Sequence, residues 1–372
     1  MIYFDYTATT KPKDDLVKLH QKITNEYWYN TESLYALGVK GNNLLQKSVN
    51  VICDTLKVNH KKVLFTSGAT EANNTAIYGV CHPYFSNPKQ IITTVFEHAS
   101  VLKVFKDLEK RGFKVTYLSY DDHGNLDLNA LAKALTNETI LVSIMWINNI
   151  TGAVFPIKEI INIVKKYPRC KLHVDAVQGF GKIVPDFAFN DLDLITLSGH
   201  KLNGLKGTGA LIYNERINLC FMQGGHQQNG IRPGTVDLAG AVVMAKAINL
   251  ASVDIQEKYL NVCQKYEYLV NALKNELYLI LNINKHQSPY ILSITFKQIK
   301  GETVLHFLEN NGIIVGTGSA CNSKAKEQEN TLIYTLKDQN LPINTIRISL
   351  SDETTFEELD LLITKIKEIG TK

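Results

Sequence analysis

Ser198-Gly199-His200-Lys201 closes the apolar run Leu192 to Leu197. A strand-like run that ends in a small-residue turn delivers one lysine amine to the mouth of a sheet. Upstream, the run Lys171-Leu172-His173-Val174 ends in Asp175. An amine and a carboxylate from two neighbouring strand ends match what a pyridoxal phosphate (PLP) site requires. The amine holds the aldehyde as a Schiff base, and the acid keeps the pyridine nitrogen protonated as an electron sink. A lysine after a strand is more often a solvated loop residue, so the pair gains its meaning from the residues around it.

Thr66-Ser67-Gly68-Ala69-Thr70-Glu71 lies where a strand turns into a helix. A helix N-terminus offers unpaired N–H groups and the positive end of a dipole, and small residues admit a phosphate. The same segment also reads as an ordinary capped helix start. Ser198 and His200 add possible phosphate donors beside Lys201. In Glu97-His98-Ala99-Ser100 the histidine stands at a strand exit, where it could stack on an aromatic cofactor and move a proton, or could serve only as a helix cap. Gln178, three residues past Asp175, could donate to the ring hydroxyl of a cofactor, and Asn149 stands at the same sheet edge.

Gly316-Thr317-Gly318-Ser319-Ala320-Cys321-Asn322-Ser323 is small, polar and predicted to be a mobile loop. A nucleophilic thiolate needs such access, although Cys321 also reads as an incidental loop cysteine. Arg347, on the short strand Thr345–Ser349, has a planar fork suited to a substrate carboxylate; a surface ion pair is the plainer alternative. Gly204-Leu205-Lys206-Gly207-Thr208-Gly209 lacks the order of a dinucleotide fingerprint and precedes a strand. Gly181-Lys182 is followed by Ile183, so no P-loop is present there.

Alternating segments must position these groups. Val63–Thr66, Gln90–Val95, Lys114–Ser119, Thr139–Ile144, Lys171–Asp175 and Asp193–Leu197 read as strands. Glu71–Tyr78, Val101–Arg111, Leu128–Leu135 and Ile157–Tyr167 read as helices between them. Such alternation predicts a mostly parallel sheet covered on both faces, with ligands beyond the carboxyl ends of the strands. After about residue 250 the pattern changes to a long helix, Asp254–Tyr278, then strands Ile291–Phe296, Ile313–Val315 and Thr345–Ser349 with helices Glu302–Asn310 and Phe356–Lys367. That predicts a compact α+β unit.

Composition sets the outer bounds. The 372 residues are 45% hydrophobic and 20% charged, with a formal net charge of +4, which gives no argument for nucleic-acid or membrane binding. Ten histidines are scattered without metal-site spacing, and six cysteines show no CxxC pair, as expected of reduced thiols in the cytoplasm. No signal peptide and no membrane-length apolar run is visible.

Taken together, these motifs resemble the cysteine desulfurases, within the class V aminotransferase superfamily of fold-type I PLP enzymes. The resemblance runs collinearly through Phe4-Asp5-Tyr6-Thr7-Ala8-Thr9-Thr10, Thr66 to Glu71, Glu97-His98, Asn148-Asn149, His173-Val174-Asp175, Ser198 to Lys201, Arg232-Pro233-Gly234-Thr235, Gly318-Ser319-Ala320-Cys321 and Arg347. It departs from the family pattern at Thr31-Glu32-Ser33-Leu34-Tyr35, at Ile150 and at Ser351.

The resemblance implies a fold-type I α/β architecture. A mostly parallel seven-stranded sheet with helices on both faces would form a large PLP-binding domain over residues 14–250. Residues 1–13 and 251–372 would form the smaller α+β domain carrying the cysteine loop. Lys201 would hold the PLP aldehyde, Asp175 would pair with the pyridine nitrogen, His98 would stack on the ring and Gln178 would bond its hydroxyl. Ala69, Thr70, Ser198 and His200 would bind the phosphate, with Thr235 reaching into the site of a partner subunit in a homodimer. Asn149 and Arg347 would hold the carboxylate of L-cysteine. Cys321 would take the sulfur as a persulfide, releasing L-alanine, and pass it to an iron–sulfur scaffold or a tRNA thiolation enzyme. The alternatives are a selenocysteine lyase or another class V aminotransferase or lyase, and a partner-binding scaffold that has lost its cofactor.

Overall fold

The computed structural model describes residues 1–121, 125–317, 326–336, 338 and 340–370, without the side chains of 326–330. Twelve strands are defined: β1 (Ile2–Phe4), β2 (Lys61–Thr66), β3 (Gln90–Thr94), β4 (Lys114–Leu118), β5 (Thr139–Met145), β6 (Lys171–Asp175), β7 (Leu194–Ser198), β8 (Gly209–Asn214), β9 (Leu279–Asn282), β10 (Ile291–Phe296), β11 (Ile313–Thr317) and β12 (Thr345–Ser349).

Seven of them form one sheet in the order β2-β8-β7-β6-β5-β3-β4. Only β8 runs against its neighbours, β2 and β7; the other pairs are parallel. The predicted mostly parallel sheet is therefore present, with the strand after the Gly204–Gly209 segment as its antiparallel member. Parallel strands buried on both faces must be apolar nearly throughout, and all seven residues of β5 are buried. Its polar members are satisfied across the sheet. Ser143 Oγ lies 2.8 Å from His173 Nδ1, and His173 Nε2 lies 3.0 Å from Thr196 Oγ1. Burial pulls the His173 pKa down to about 3, so the imidazole is neutral and serves as a cross-strand link.

Helices cover the sheet through apolar stripes. Ile157–Val164 buries Ile157, Ile160, Ile161 and Val164, an i, i+3, i+4, i+7 face. Ala99–Lys110 buries Val101, Leu102, Val104, Phe105 and Leu108 in the same manner. The second sheet has five strands in the order β1-β11-β12-β10-β9, with β1 parallel to β11 and the other pairs antiparallel. The helix expected over Asp254–Tyr278 is shorter, Ile255–Leu273. The chain turns after Lys274 so that Leu279 can start β9 beside β10. Among the described residues no single helix is long and apolar enough to cross a membrane.

Candidate active site

Strands β2, β3, β5, β6 and β7 all end at one edge of the large sheet, and their exits converge on a cavity of about 700 Å³. Thr70, His98, Asn149, Asp175, Gln178, Ser198, His200, Lys201 and Arg347 all line it, and so does Ala69. Thr235 is exposed and does not line this cavity. Cys321 lies outside the described residues; β11, which precedes it, ends at Thr317.

Lys201 sits on the tight turn Gly199–Lys201 that follows β7. The turn is close because Gly199 has no side chain: a Cβ there would lie 2.2 Å from Thr208 Oγ1. Lys201 Nζ donates to the backbone carbonyls of Thr7 and Ala8, the latter at 2.7 Å. Burial, reinforced by the positive charge of Arg347, lowers its pKa to about 8, against the opposing pull of Asp5 and Asp175. The lowered pKa raises the neutral fraction of the amine near pH 7 and with it its nucleophilic and basic character.

Asp175, the last residue of β6, is buried. Its Oδ2 accepts from Asn73 Nδ2 at 2.8 Å and its Oδ1 from the Val177 N–H at 3.1 Å. Burial raises its pKa, while these two donors and the charges of His98 and Lys201 pull it back. A cationic ring nitrogen is the natural counterion for such a carboxylate. The same Asn73 amide donates at 2.9 Å to Ser100 Oγ, which lies 2.8 Å from His98 Nδ1. His98 Nδ1 also accepts from the Ser100 N–H at 3.1 Å, so the residue is both the N-cap of Ala99–Lys110 and a wall of the cavity. The chain Asp175–Asn73–Ser100–His98 thus fixes the ring on one side of the acid.

One end of the cavity is kept open by glycines. Gly68 caps the helix Ala69–Cys81 with φ 150°, and no side chain caps that N-terminus. A Cβ on Gly68 or on Gly207 would meet nothing within 4 Å, so both leave open space. Gly209, by contrast, must lack a side chain, because a Cβ would lie 2.6 Å from the Gly68 backbone. The turn is clamped from behind: Glu71 Oε2 accepts from the Ser67 N–H at 2.7 Å and Glu71 Oε1 from Arg232 Nε at 2.7 Å. Ser198 Oγ is buried without a partner among the described residues. An orphaned hydroxyl beside a helix N-terminus, with an amine and an acid across the same cavity, fits the donor set that PLP needs.

Arg347 forms the opposite rim. Its Nη2 donates to Asp5 Oδ1 at 2.6 Å and its Nη1 to the Asn149 carbonyl at 3.0 Å, while buried Nε has no partner among the described residues. Asn149 lines the cavity, whereas its neighbour Asn148 is structural: its Oδ1 accepts from the Ile150 and Thr151 N–H groups at 2.9 and 2.8 Å. Residue type and position in the sequence mark no role for Thr7, Ala8, Asp5, Asn73 or Lys182. Thr7 and Ala8 act through backbone carbonyls, which residue type cannot reveal, and Asn73 stands in mid-helix. Asp5 carried a visible signal, an acidic residue in a quoted motif, but no partner could be assigned to it.

The class-V aminotransferase family profile matches residues 2–362. A NifS/IcsS protein homolog of Lactobacillus delbrueckii subsp. bulgaricus is 38% identical over 99% of this chain and 97% of its own. The cysteine desulfurase IscS of Dictyoglomus turgidum is 33% identical over 100% of this chain and 95% of its own. Among solved structures, a NifS-like protein superposes with a TM-score of 0.91 at 31% identity, covering 100% of this chain and 99% of the other. A structure of SspA in complex with cysteine superposes with a TM-score of 0.79 at 27% identity over 95% of this chain and 100% of that one.

Proposed function

The chain belongs to the class-V aminotransferase family, and from that premise we propose that it is a cysteine desulfurase, converting L-cysteine to L-alanine and an enzyme persulfide. The observation that carries the reading is the placement of Lys201 and Asp175, with the Gly68–Thr70 turn and Arg347, around one cavity. Full-length similarity to proteins named as cysteine desulfurases supports the substrate.

Lys201 would hold PLP, with Asp175 at the ring nitrogen, His98 on the ring face and Gln178 at the ring hydroxyl. Ala69, Thr70, Ser198 and His200 would bind the phosphate. When bound, PLP supplies the electron sink that stabilises carbanionic charge on the amino acid. The residues do the rest. Arg347 and Asn149 bind the substrate carboxylate, the buried Nε of Arg347 offering a donor that Asp5 leaves uncommitted. Lys201, with a pKa of about 8, takes and returns a proton at Nζ. Cys321 as thiolate attacks the sulfur of the bound amino acid; the carbon–sulfur bond breaks, a persulfide forms on Cys321, and the carbon left behind gains a proton to become alanine. β11 ends at Thr317, one residue past the pairing of Gly316 with Arg347, and Cys321 follows it in the sequence.

Thr235 is exposed and away from its own chain's cavity, which supports a role for it in the site of a second copy. The described cysteines, Cys53, Cys81, Cys170, Cys220 and Cys263, are all free, which supports a reducing compartment such as the cytoplasm. A persulfide product calls for a sulfur acceptor, an iron–sulfur scaffold or a tRNA thiolation enzyme. The test is to incubate the PLP-loaded protein with L-cysteine and a thiol reductant. Alanine and sulfide should form in equal amounts, and Cys321→Ala should abolish sulfide while keeping the cofactor's visible band. Undiminished sulfide release by that variant would refute the persulfide route.

A further inference from the structure

Lys182 is 8% exposed, and its ammonium is buried behind the cavity without lining it. Among the described residues its only side-chain hydrogen bond is to Gln178 Oε1, at 2.5 Å. The other end of the same amide, Gln178 Nε2, donates to the Thr7 carbonyl at 3.1 Å. That carbonyl also accepts from Lys201 Nζ. A lysine donates and a carbonyl only accepts, so an amide caught between them has one orientation available. Oxygen must face Lys182, and nitrogen must face Thr7 and the cavity.

The shared acceptor has a chemical meaning. Lys201 Nζ and Gln178 Nε2 are neighbours because both reach one oxygen. In PLP the ring hydroxyl is ortho to the aldehyde that a lysine captures, so the hydroxyl oxygen comes to lie beside the lysine nitrogen. Gln178 Nε2 would therefore be at hand for that oxygen, and only the observed orientation of the amide would present a donor to it.

We infer that Lys182 is a positioning residue: it fixes the orientation of the Gln178 amide so that an N–H, and not a carbonyl oxygen, faces the ring hydroxyl of the cofactor. This rests on the assignment of the cavity to PLP and deepens it. A lysine costs a great deal to bury, and one acceptor is thin compensation. Burial, reinforced by the positive charges of Lys201 and Arg347, brings its pKa down to about 7. The protonated amine can only donate to Gln178 Oε1; a neutral one can also accept, and the Thr7 carbonyl then still admits only nitrogen on its side.

The readout is the pH titration of the visible band of the PLP-loaded protein. A donor on the ring hydroxyl oxygen stabilises its ionised form and lets the adjacent linked nitrogen lose its proton at lower pH. Lys182→Met removes the orienting donor, and the midpoint should rise by about 0.5 to 1 unit. Gln178→Leu should raise it by a similar amount, and the double variant by no more than the larger single change, as expected for residues acting as one unit. A Lys182→Met midpoint equal to that of the parent protein, or shifts that add in full, would overturn the inference. If Lys182→Met does not fold, Lys182→Leu provides the same comparison. A parent protein that shows no visible band after incubation with PLP would instead sink the cofactor assignment itself.

Discussion

Replacing Gly316 by alanine places a methyl group against the guanidinium of Arg347. The two residues are paired across β11 and β12, and Gly316 has no positive φ, so the backbone itself accepts alanine. The new Cβ would lie 2.5 Å from Asp5 Oδ1, 2.7 Å from Arg347 Nη2 and 3.1 Å from Arg347 Nε. Ordinary contact begins near about 3.5 Å, so the fork and the carboxylate must each retreat by about 1 Å. Both clashing groups are the ends of side chains, so the fold should lose only about 1 kcal/mol, the low end of overpacking costs. The site loses more. A fork displaced by that distance forfeits one charge-assisted hydrogen bond to the substrate carboxylate, about 1.5–3 kcal/mol. KM for L-cysteine should then rise about 10- to 150-fold. Initial rates of alanine release against cysteine concentration measure this, with the urea midpoint and the cofactor band as controls. A KM within twofold of the parent, with stability intact, would refute the placement of the carboxylate at Arg347.

The remaining predictions concern titration. Lys201 must be neutral to capture an aldehyde, and its pKa is brought down to about 8. The rate of PLP capture by apoprotein should climb tenfold per pH unit below that value and level off above it; a plateau reached only near pH 10 would contradict the buried environment. Glu97 is buried, with Oε1 accepting from the Met145 N–H at 2.9 Å and Thr94 Oγ1 at 2.8 Å, while Oε2 has no partner among the described residues. Burial raises its pKa to about 8, with the charge of Asp175 adding to the effect. A raised carboxyl pKa contributes stability that is complete below the unfolded value, about 4.5, and is lost as pH rises through about 8. Glu97→Gln keeps the acceptor but does not ionise, so its urea midpoint should hold between pH 5 and 8 relative to the parent's decline. Parallel declines in both proteins would show that Glu97 ionises normally.

What the sequence disclosed depended on whether a residue acts through its own side chain at an element boundary. Lys201 and Asp175 each end an apolar run, so type and position together announced them. The parallel sheet was legible for the same reason: short buried strands leave nearly continuous apolar stretches. The helices Asp14–Glu26, Ala36–Leu56 and Leu238–Ala251 left a weaker trace. Ala36–Leu56 carries buried glycines at 38 and 41, which read as breakers until the close approach of neighbouring chain explains them; a Cβ on Gly38 would lie 2.2 Å from the Ser33 carbonyl. Lys182 was hidden by its surroundings in sequence, because Gly181-Lys182 looks like a solvated turn and only tertiary packing buries it.

The segment from Asp5 to Thr10 shows why chemistry at this edge needs both sheets. It leaves β1, which belongs to the five-stranded sheet, and crosses the mouth of the seven-stranded one. On the way Asp5 holds Arg347, the Thr7 carbonyl takes Lys201 and Gln178, the Ala8 carbonyl takes Lys201 again, and the Thr10 N–H donates at 2.9 Å to the His200 carbonyl. Thr7 is anchored in turn by its N–H to Ser349 Oγ at 3.1 Å, on the strand that carries Arg347. The group proposed to bind the substrate carboxylate and the lysine proposed to bind the cofactor therefore share one short stretch of backbone. Asp5 accepts from Arg347 and the Thr7 N–H donates to Ser349 Oγ, so β12 is tied to the same backbone whose carbonyls accept from Lys201 Nζ.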